Sequence, residues 1–250
     1  MPENKINGIF IGGTGTGVGK TFFSILLITY LENKGLKVAP MKPVETGCNP
    51  FALDSLSLMT ACRNLYPIDL VCPYRLKMPS APQSAAMEEN KKIEIKKILD
   101  AFESLKEESQ LVIVEGAGAI ATPYTKKMTG IELAKKMGLP VILVTNEKLG
   151  TVGQTISAIR ALHYSRVKCL GVVLSSTEQQ LDLPHLKTNE PLIKTHIGKI
   201  PFLGTIPHIP LPGGNLEKTA CSLIPSWAKK NIDIFQKSVG SSLDFVLKIE

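Results

Sequence analysis

The stretch "GIFIGGTGTGVGKTFF", Gly8 to Phe23, gathers residue types suited to holding phosphate. In a phosphate-binding loop, backbone N–H groups and the N-terminus of the following helix surround phosphate oxygens. A lysine reaches the β- and γ-phosphates, and a hydroxyl ligates Mg²⁺. "GVGKT" offers Gly19, Lys20 and Thr21 for those roles. The pattern G-x-x-x-x-G-K-[ST] asks for glycine at position 14, where this chain has Thr14, with Gly13 before it and Gly15 and Gly17 after it. A glycine-rich turn need not hold phosphate, but strand, loop, Lys-Thr and helix follow here in the required order. Further along, the apolar run of "QLVIVEGAG" ends in Glu115. An acid at that place is either a solvated strand-end carboxylate or a second Mg²⁺ ligand, and the adjoining glycines, which let backbone pass close to a ligand, favour the second reading. Lys42, in "MKPVETG", stands at a strand end where a compact ammonium suits a γ-phosphate or a carboxylate-like group, with Thr46 and Gly47 turning just beyond it. Asp54, taken alone, reads as a helix cap ahead of a ligand. Together these residues describe a Mg·NTP site with extra ligands for a small acidic partner.

A frame must bring them to one place. "INGIFIG", "LKVAPMK", "QLVIVEG", "LPVILVTN", "VKCLGVVLS" and "IPFLGTIP" read as strands. Helices are expected over about 20–33, from near Asp54, over about 91–107, in "GIELAKKMG" and over about 150–162, with Gly35 stopping the first. "YPIDLVCPYRLKMPSAPQSAA" is Pro-rich and reads as irregular, and the C-terminal segment carries a mixed helical pattern. Near-continuous apolar strands alternating with helices specify an α/β fold: a mainly parallel sheet covered by helices on both faces, a three-layer P-loop NTPase-type sandwich. Right-handed crossovers place the strand C-termini on one edge, so the loops after Gly12, Met41, Val114, Thr145 and Leu174 should converge there. No repeat or linker interrupts the pattern, and residues 1–250 are expected to form a single domain.

The totals limit the alternatives. The chain has 250 residues, 44% hydrophobic and 20% charged, as in an ordinary globular protein. Its net charge of +7 needs no nucleic-acid partner: the pairs Lys91–Lys92 and Lys96–Lys97 read as a solvated helix face, and nucleotide phosphates suffice as anions. No apolar run approaches the ~20 residues that span a bilayer, so no membrane association is expected. Five scattered cysteines form no C-x-x-C pair, the histidines share no ligand spacing, and "MPENKINGIF" has no signal-peptide architecture. A reducing cytoplasm is the expected setting.

"GTGTGVGKT", "MKPVETG", "SAPQSAA", "VEGAG" and "NEKLGTVGQT", in this order and spacing, resemble the dethiobiotin synthetases, P-loop ATPases with a deviant Walker A loop, over about residues 8–175. The resemblance implies an ATP-dependent ring closure. One amine of 7,8-diaminononanoate takes up CO₂ (or bicarbonate) as a carbamate, the carbamate attacks the γ-phosphate, and the second amine closes a ureido ring with loss of phosphate. It assigns Lys20 and Lys42 to the transferred phosphate and the carbamate, and Thr46 to the diamine. Thr21, Asp54 and Glu115 would hold Mg²⁺. Nucleotide contacts would extend through Thr16, Gly17, Val18, Gly19 and Phe22, through Gly116, Ala117 and Gly118, and to Ser175 and Pro207. Gly150, Thr151, Val152 and Gly153 open a helix whose N–H groups would hold the substrate carboxylate, in the family from the partner subunit, which implies a homodimer. Gly17 stands where some relatives carry an acid, and Ala119 where a third glycine is frequent. Ser175 stands where an asparagine often reads adenine, so ATP is the expected nucleotide and another NTP remains open. The main rival is a ParA/MinD-like ATPase switch, whose loop carries a lysine where this chain has Gly15.

Overall fold

The computed structural model of this protein describes residues 6–63, 65–177 and 186–248. The chain runs β1 (Gly8–Gly13), α1 (Lys20–Asn33), β2 (Val38–Met41), β3 (Val44–Thr46), α2 (Leu53–Ala61), α3 (Ile68–Val71) and β4 (Tyr74–Leu76). It continues α4 (Pro82–Glu88), α5 (Ile95–Glu108), β5 (Leu111–Glu115), β6 (Pro123–Thr125), β7 (Met128–Thr129), α6 (Gly130–Lys136) and β8 (Val141–Asn146). The last part is α7 (Thr151–Tyr164), β9 (Cys169–Ser175), α8 (Asn189–His196), β10 (Phe202–Ile206), α9 (Ile224–Phe235) and α10 (Ser241–Leu247).

Six strands form one parallel sheet in the order β10-β9-β8-β1-β5-β2. All residues of β1, β5 and β8 are buried, which is why their sequences are apolar runs up to the last residue or two rather than alternating ones. The crossover from β1 to β2 moves one way along the sheet, and those from β2 to β5, β5 to β8, β8 to β9 and β9 to β10 move the other way. With right-handed connections, α1 therefore lies on one face and α5 to α8 on the opposite one. α9 returns to pack beside α1 and α2. The connection leaving β1 lies on the face opposite to those leaving its neighbours β5 and β8, so the crevice outside the C-terminal end of β1 is where a ligand belongs in such a fold.

α1 spans Lys20–Asn33 as expected, with Gly35 at φ +82° just beyond its end. α7 begins one residue later than expected and ends at Tyr164, and α5 covers 95–108 rather than 91–107. The segment expected to be irregular, residues 66–86, instead holds α3, β4 and most of α4. These elements are too short to show a period, and β4 exists because it pairs in parallel with β3. α2 starts with Ala52 at the cap position and has no cap from Asp54, whose side chain turns elsewhere.

Candidate active site

A cleft of about 810 Å³ opens over the C-terminal end of the sheet. Four of the five expected loops line it: Thr16–Phe22, Lys42–Gly47, Glu115–Gly118 and Ser175–Thr177. The loop after Thr145 does not. The remaining walls are Pro79–Pro82 with Thr122 on one side, and His208 to Glu217 on the other.

The loop before α1 is shaped by close approach. Gly19 has φ +91°, and a Cβ added there would fall 2.7 Å from the Ser175 hydroxyl, so only glycine fits. Lys20 folds back over the loop, its ammonium donating to the Gly15 carbonyl at 2.9 Å. Thr14 takes the place of the pattern's glycine for a visible reason. Its N–H donates to Val144 O at 3.0 Å, and its hydroxyl meets that of Thr145 at 2.9 Å. The Thr145 hydroxyl in turn meets those of Thr151 at 2.6 Å and Thr155 at 3.1 Å, all three residues being fully buried. The phosphate loop is thereby tied to the start of α7.

Three acids and two lysines meet at the floor. Lys42 is buried, its ammonium donating to Asp54 Oδ2 at 2.7 Å and to Glu115 Oε1 at 2.5 Å. The Thr21 hydroxyl donates to the same Glu115 oxygen at 2.8 Å. Burial alone would push the Lys42 pKa down, but Asp54, Glu115 and Glu45 around it raise it well above the ordinary value. Burial likewise opposes the charged form of Asp54, and Lys42 overrides it, holding that carboxyl below its usual range. For Lys20 the balance falls the other way: burial, then the Lys42 charge, bring its pKa down to about 8 against the smaller opposing pull of Glu115 and Asp54. An anion arriving between the two ammonium groups would relieve that repulsion.

The floor also fits a hard divalent cation. Glu115 Oε2 is buried and has no hydrogen-bond partner among the described residues, while the Thr21 hydroxyl and the Asp54 carboxylate stand close by. One or two carboxylates, a hydroxyl and substrate phosphates are the donor set Mg²⁺ takes in nucleotide sites. The turn after Glu115 is held from below, where the buried Tyr124 hydroxyl accepts the Ala117 N–H at 2.7 Å and burial pushes its phenol up to about 12.

Of the residues singled out in the sequence, Thr16, Gly17, Gly19, Lys20, Thr21, Phe22, Lys42, Thr46, Asp54, Glu115, Ala117, Gly118 and Ser175 line this one cleft. Val18 is buried behind the loop, and Gly116 is packed so closely that a Cβ there would lie 2.7 Å from the Phe10 ring. Pro207 is exposed beside the lining residue His208. Gly150 to Gly153 are not among the lining residues, and Gly150 and Gly153 face outward. Two features were not anticipated. Glu45 lies inside "MKPVETG", and nothing in that motif's spacing sets it apart. The wall from His208 to Glu217 was also missed, although a Pro/Gly-rich loop following the last strand was the available signal. That wall is secured by Trp227, whose indole N–H donates to Pro210 O at 2.9 Å and whose ring meets Phe22 edge-on at 5.0 Å.

Comparison with known proteins agrees with this geometry. The family described as AAA domain matches residues 7–214. The chain is similar to the ATP-dependent dethiobiotin synthetase of Thermodesulfovibrio yellowstonii, at 34% identity over 81% of this chain and 89% of the relative. It is similar to the enzyme of the same name from Methanococcus vannielii, at 35% identity over 79% of this chain and 92% of the relative. For that of Xylella fastidiosa the figures are 30%, 88% and 98%. Among solved structures it resembles the septum site-determining protein MinD with Mg-ADP from Pyrococcus horikoshii, with TM-score 0.53, 17% identity, and 92% and 95% of the two chains covered. The MinC:MinD complex of Aquifex aeolicus gives TM-score 0.52, 17% identity, and 90% and 95% coverage. At this identity the structural likeness shows the P-loop NTPase fold alone.

Proposed function

This chain belongs to the ATP-dependent dethiobiotin synthetase family, and from that premise we propose how its cleft closes the ureido ring of dethiobiotin in biotin biosynthesis. The substrates are 7,8-diaminononanoate, CO₂ and ATP. The observation that carries the reading is the meeting of Lys20, Lys42, Thr21, Asp54 and Glu115 on one floor, with Thr46 along the same cleft. One amine adds to CO₂ and loses a proton, giving a carbamate. A carbamate oxygen attacks the γ-phosphorus and ADP leaves, forming a carbamic–phosphoric anhydride. The second amine then attacks the carbonyl carbon, the C–O bond breaks toward phosphate, and a proton is released. Lys20 and Lys42 offset the charge that gathers on the transferring phosphoryl group and the carbamate, and the fixed cleft holds the reactants in line. Thr46 positions the diamine, and Ser175 lies against the nucleotide loop. Thr21, Asp54 and Glu115 would hold Mg²⁺, which when bound supplies neutralising charge to the β- and γ-phosphates.

The exposure of Gly150 and Gly153 at the start of α7 supports a homodimer in which the backbone of Gly150 to Gly153 of one subunit holds the substrate carboxylate of the other. One domain over residues 1–250, working in the cytoplasm, completes the reading. No helix among the described residues is long and apolar enough to cross a membrane. Phosphate release from Mg·ATP with bicarbonate, measured with and without 7,8-diaminononanoate while the cyclic urea is followed by mass, tests it. Release coupled to product is expected, and hydrolysis that ignores the diamine would overturn the reading in favour of an ATPase switch.

A further inference from the structure

Glu45 is a third carboxylate beside Lys42, it is 5% exposed, and it lines the cleft, yet both of its oxygens are taken up by the start of α2. Its Oε1 accepts the Asp54 N–H at 2.9 Å, and its Oε2 accepts the Ser55 N–H at 2.8 Å as well as the Ser55 hydroxyl. These are N–H groups of the first turn of α2, which no intrahelical acceptor can satisfy. The residue at the cap position, Ala52, has no side-chain oxygen, so α2 is capped from β3, a separate strand nine residues upstream of Asp54. A carboxylate at a helix N-terminus also meets the positive end of the helix dipole. The strand that provides it is itself held, pairing Val44, Glu45 and Thr46 with Tyr74, Arg75 and Leu76 of β4.

Asp54 thus owes its place to a neighbour's side chain. Its own N–H is bonded to Glu45, its carboxylate is left to face Lys42, and the residue after Glu45 is Thr46, which also lines the cleft. We propose that Glu45 is a positioning residue that sets Asp54 at the metal edge of the cleft and fixes its spacing from the strand carrying Thr46. The inference rests on the reading of Asp54 as a Mg²⁺ ligand. Glu45 touches neither metal nor substrate: its role is to hold the residue that does, as outer-shell partners hold the ligands of other metal sites.

The test is binding rather than turnover. The affinity of a fluorescent ATP analogue is titrated against Mg²⁺ in the wild type, Glu45→Ala, Glu45→Gln and Asp54→Ala. Glu45→Ala should leave metal-free nucleotide affinity within about twofold and raise the Mg²⁺ concentration for half-effect by about 10- to 100-fold, the usual loss on removing such a partner. Glu45→Gln keeps one acceptor for the Asp54 N–H and should fall between the wild type and Glu45→Ala, and it decides the matter if the alanine variant does not fold. An unchanged Mg²⁺ requirement in a folded Glu45 variant, or equal weakening with and without metal, overturns the inference. Asp54→Ala separates the two levels. If it leaves the Mg²⁺ requirement unaltered, the assignment of Asp54 fails and the positioning role with it. If it raises the requirement while the Glu45 variants do not, only the positioning role fails.

Discussion

Lys42→Ala would separate an electrostatic account of the cleft floor from a purely geometric one. Lys42 is 4% exposed and its ammonium is joined to Asp54 and Glu115, so its removal strands two carboxylates, one of them completely buried. Removing one partner of a buried ion pair costs about 3–5 kcal/mol. The Asp54 side chain is 32% exposed and Thr21 still donates to Glu115, so the lower end, about 3 kcal/mol, is expected here. For a chain of this size that is a fall in Tm of roughly 6–12 °C. Mg²⁺ held by the same acids would replace the missing positive charge, so it should stabilise Lys42→Ala more than the wild type. Turnover should not recover with stability, because a preorganised charge aimed at the transferring phosphate contributes about 3 kcal/mol, or roughly a hundredfold in kcat. Thermal unfolding of both proteins over a MgCl₂ series, alongside kcat, is the assay. Equal Tm in the absence of metal, or an identical Mg²⁺ effect on both proteins, would refute the reasoning.

Other perturbations reach further parts of the account. Thr145→Val keeps the shape of a fully buried residue but removes the hydroxyl shared by Thr14, Thr151 and Thr155; it should cost about 1–3 kcal/mol in urea unfolding, and an unmoved midpoint would contradict the network. Gly153→Asp adds a side chain where no atom lies within 4 Å of the new Cβ, so it should raise KM for the diamine by charge repulsion and leave that for ATP alone. An unaltered diamine KM would remove the substrate carboxylate from the start of α7. At α6, Thr129 and Glu132 form a reciprocal cap, and Glu132→Ala should cost about 1 kcal/mol near neutral pH. Burial would raise the Glu132 pKa, but its hydrogen bonds from Thr129 hold it below the ordinary 4.5. The stabilisation is therefore present above about pH 4.5 and lost as pH falls through the folded value; a gap between wild type and variant that persisted in acid would contradict it.

How far the sequence could be read follows from which interactions are local. The inner strands of the sheet were legible because a strand covered on both faces is largely apolar, and α1 was legible because Gly19 and Gly35 bracket it. Residues 66–86 were not, since β4 is stable only through its pairing with β3. In the site, Lys20 and Thr21 announce themselves by spacing. The Lys42–Glu115 pair joins residues 73 apart, and nothing local to either one reveals it. Asp54 read alone suggests a helix cap, and only Glu45, nine residues upstream, shows that the cap comes from elsewhere. Thr14 looked like a departure from a loop pattern, and its purpose shows only once Thr145 is placed beside it.

The central claim is that the γ-phosphate activates a carbamate. It is tested most directly by supplying oxygen-18-labelled CO₂ with 7,8-diaminononanoate and Mg·ATP in a single turnover, fast enough to outrun exchange with water, and weighing the released phosphate. The account predicts phosphate carrying one labelled oxygen from CO₂, because the carbamate oxygen that attacks phosphorus leaves with it on ring closure. Phosphate that takes its new oxygen from water would contradict it.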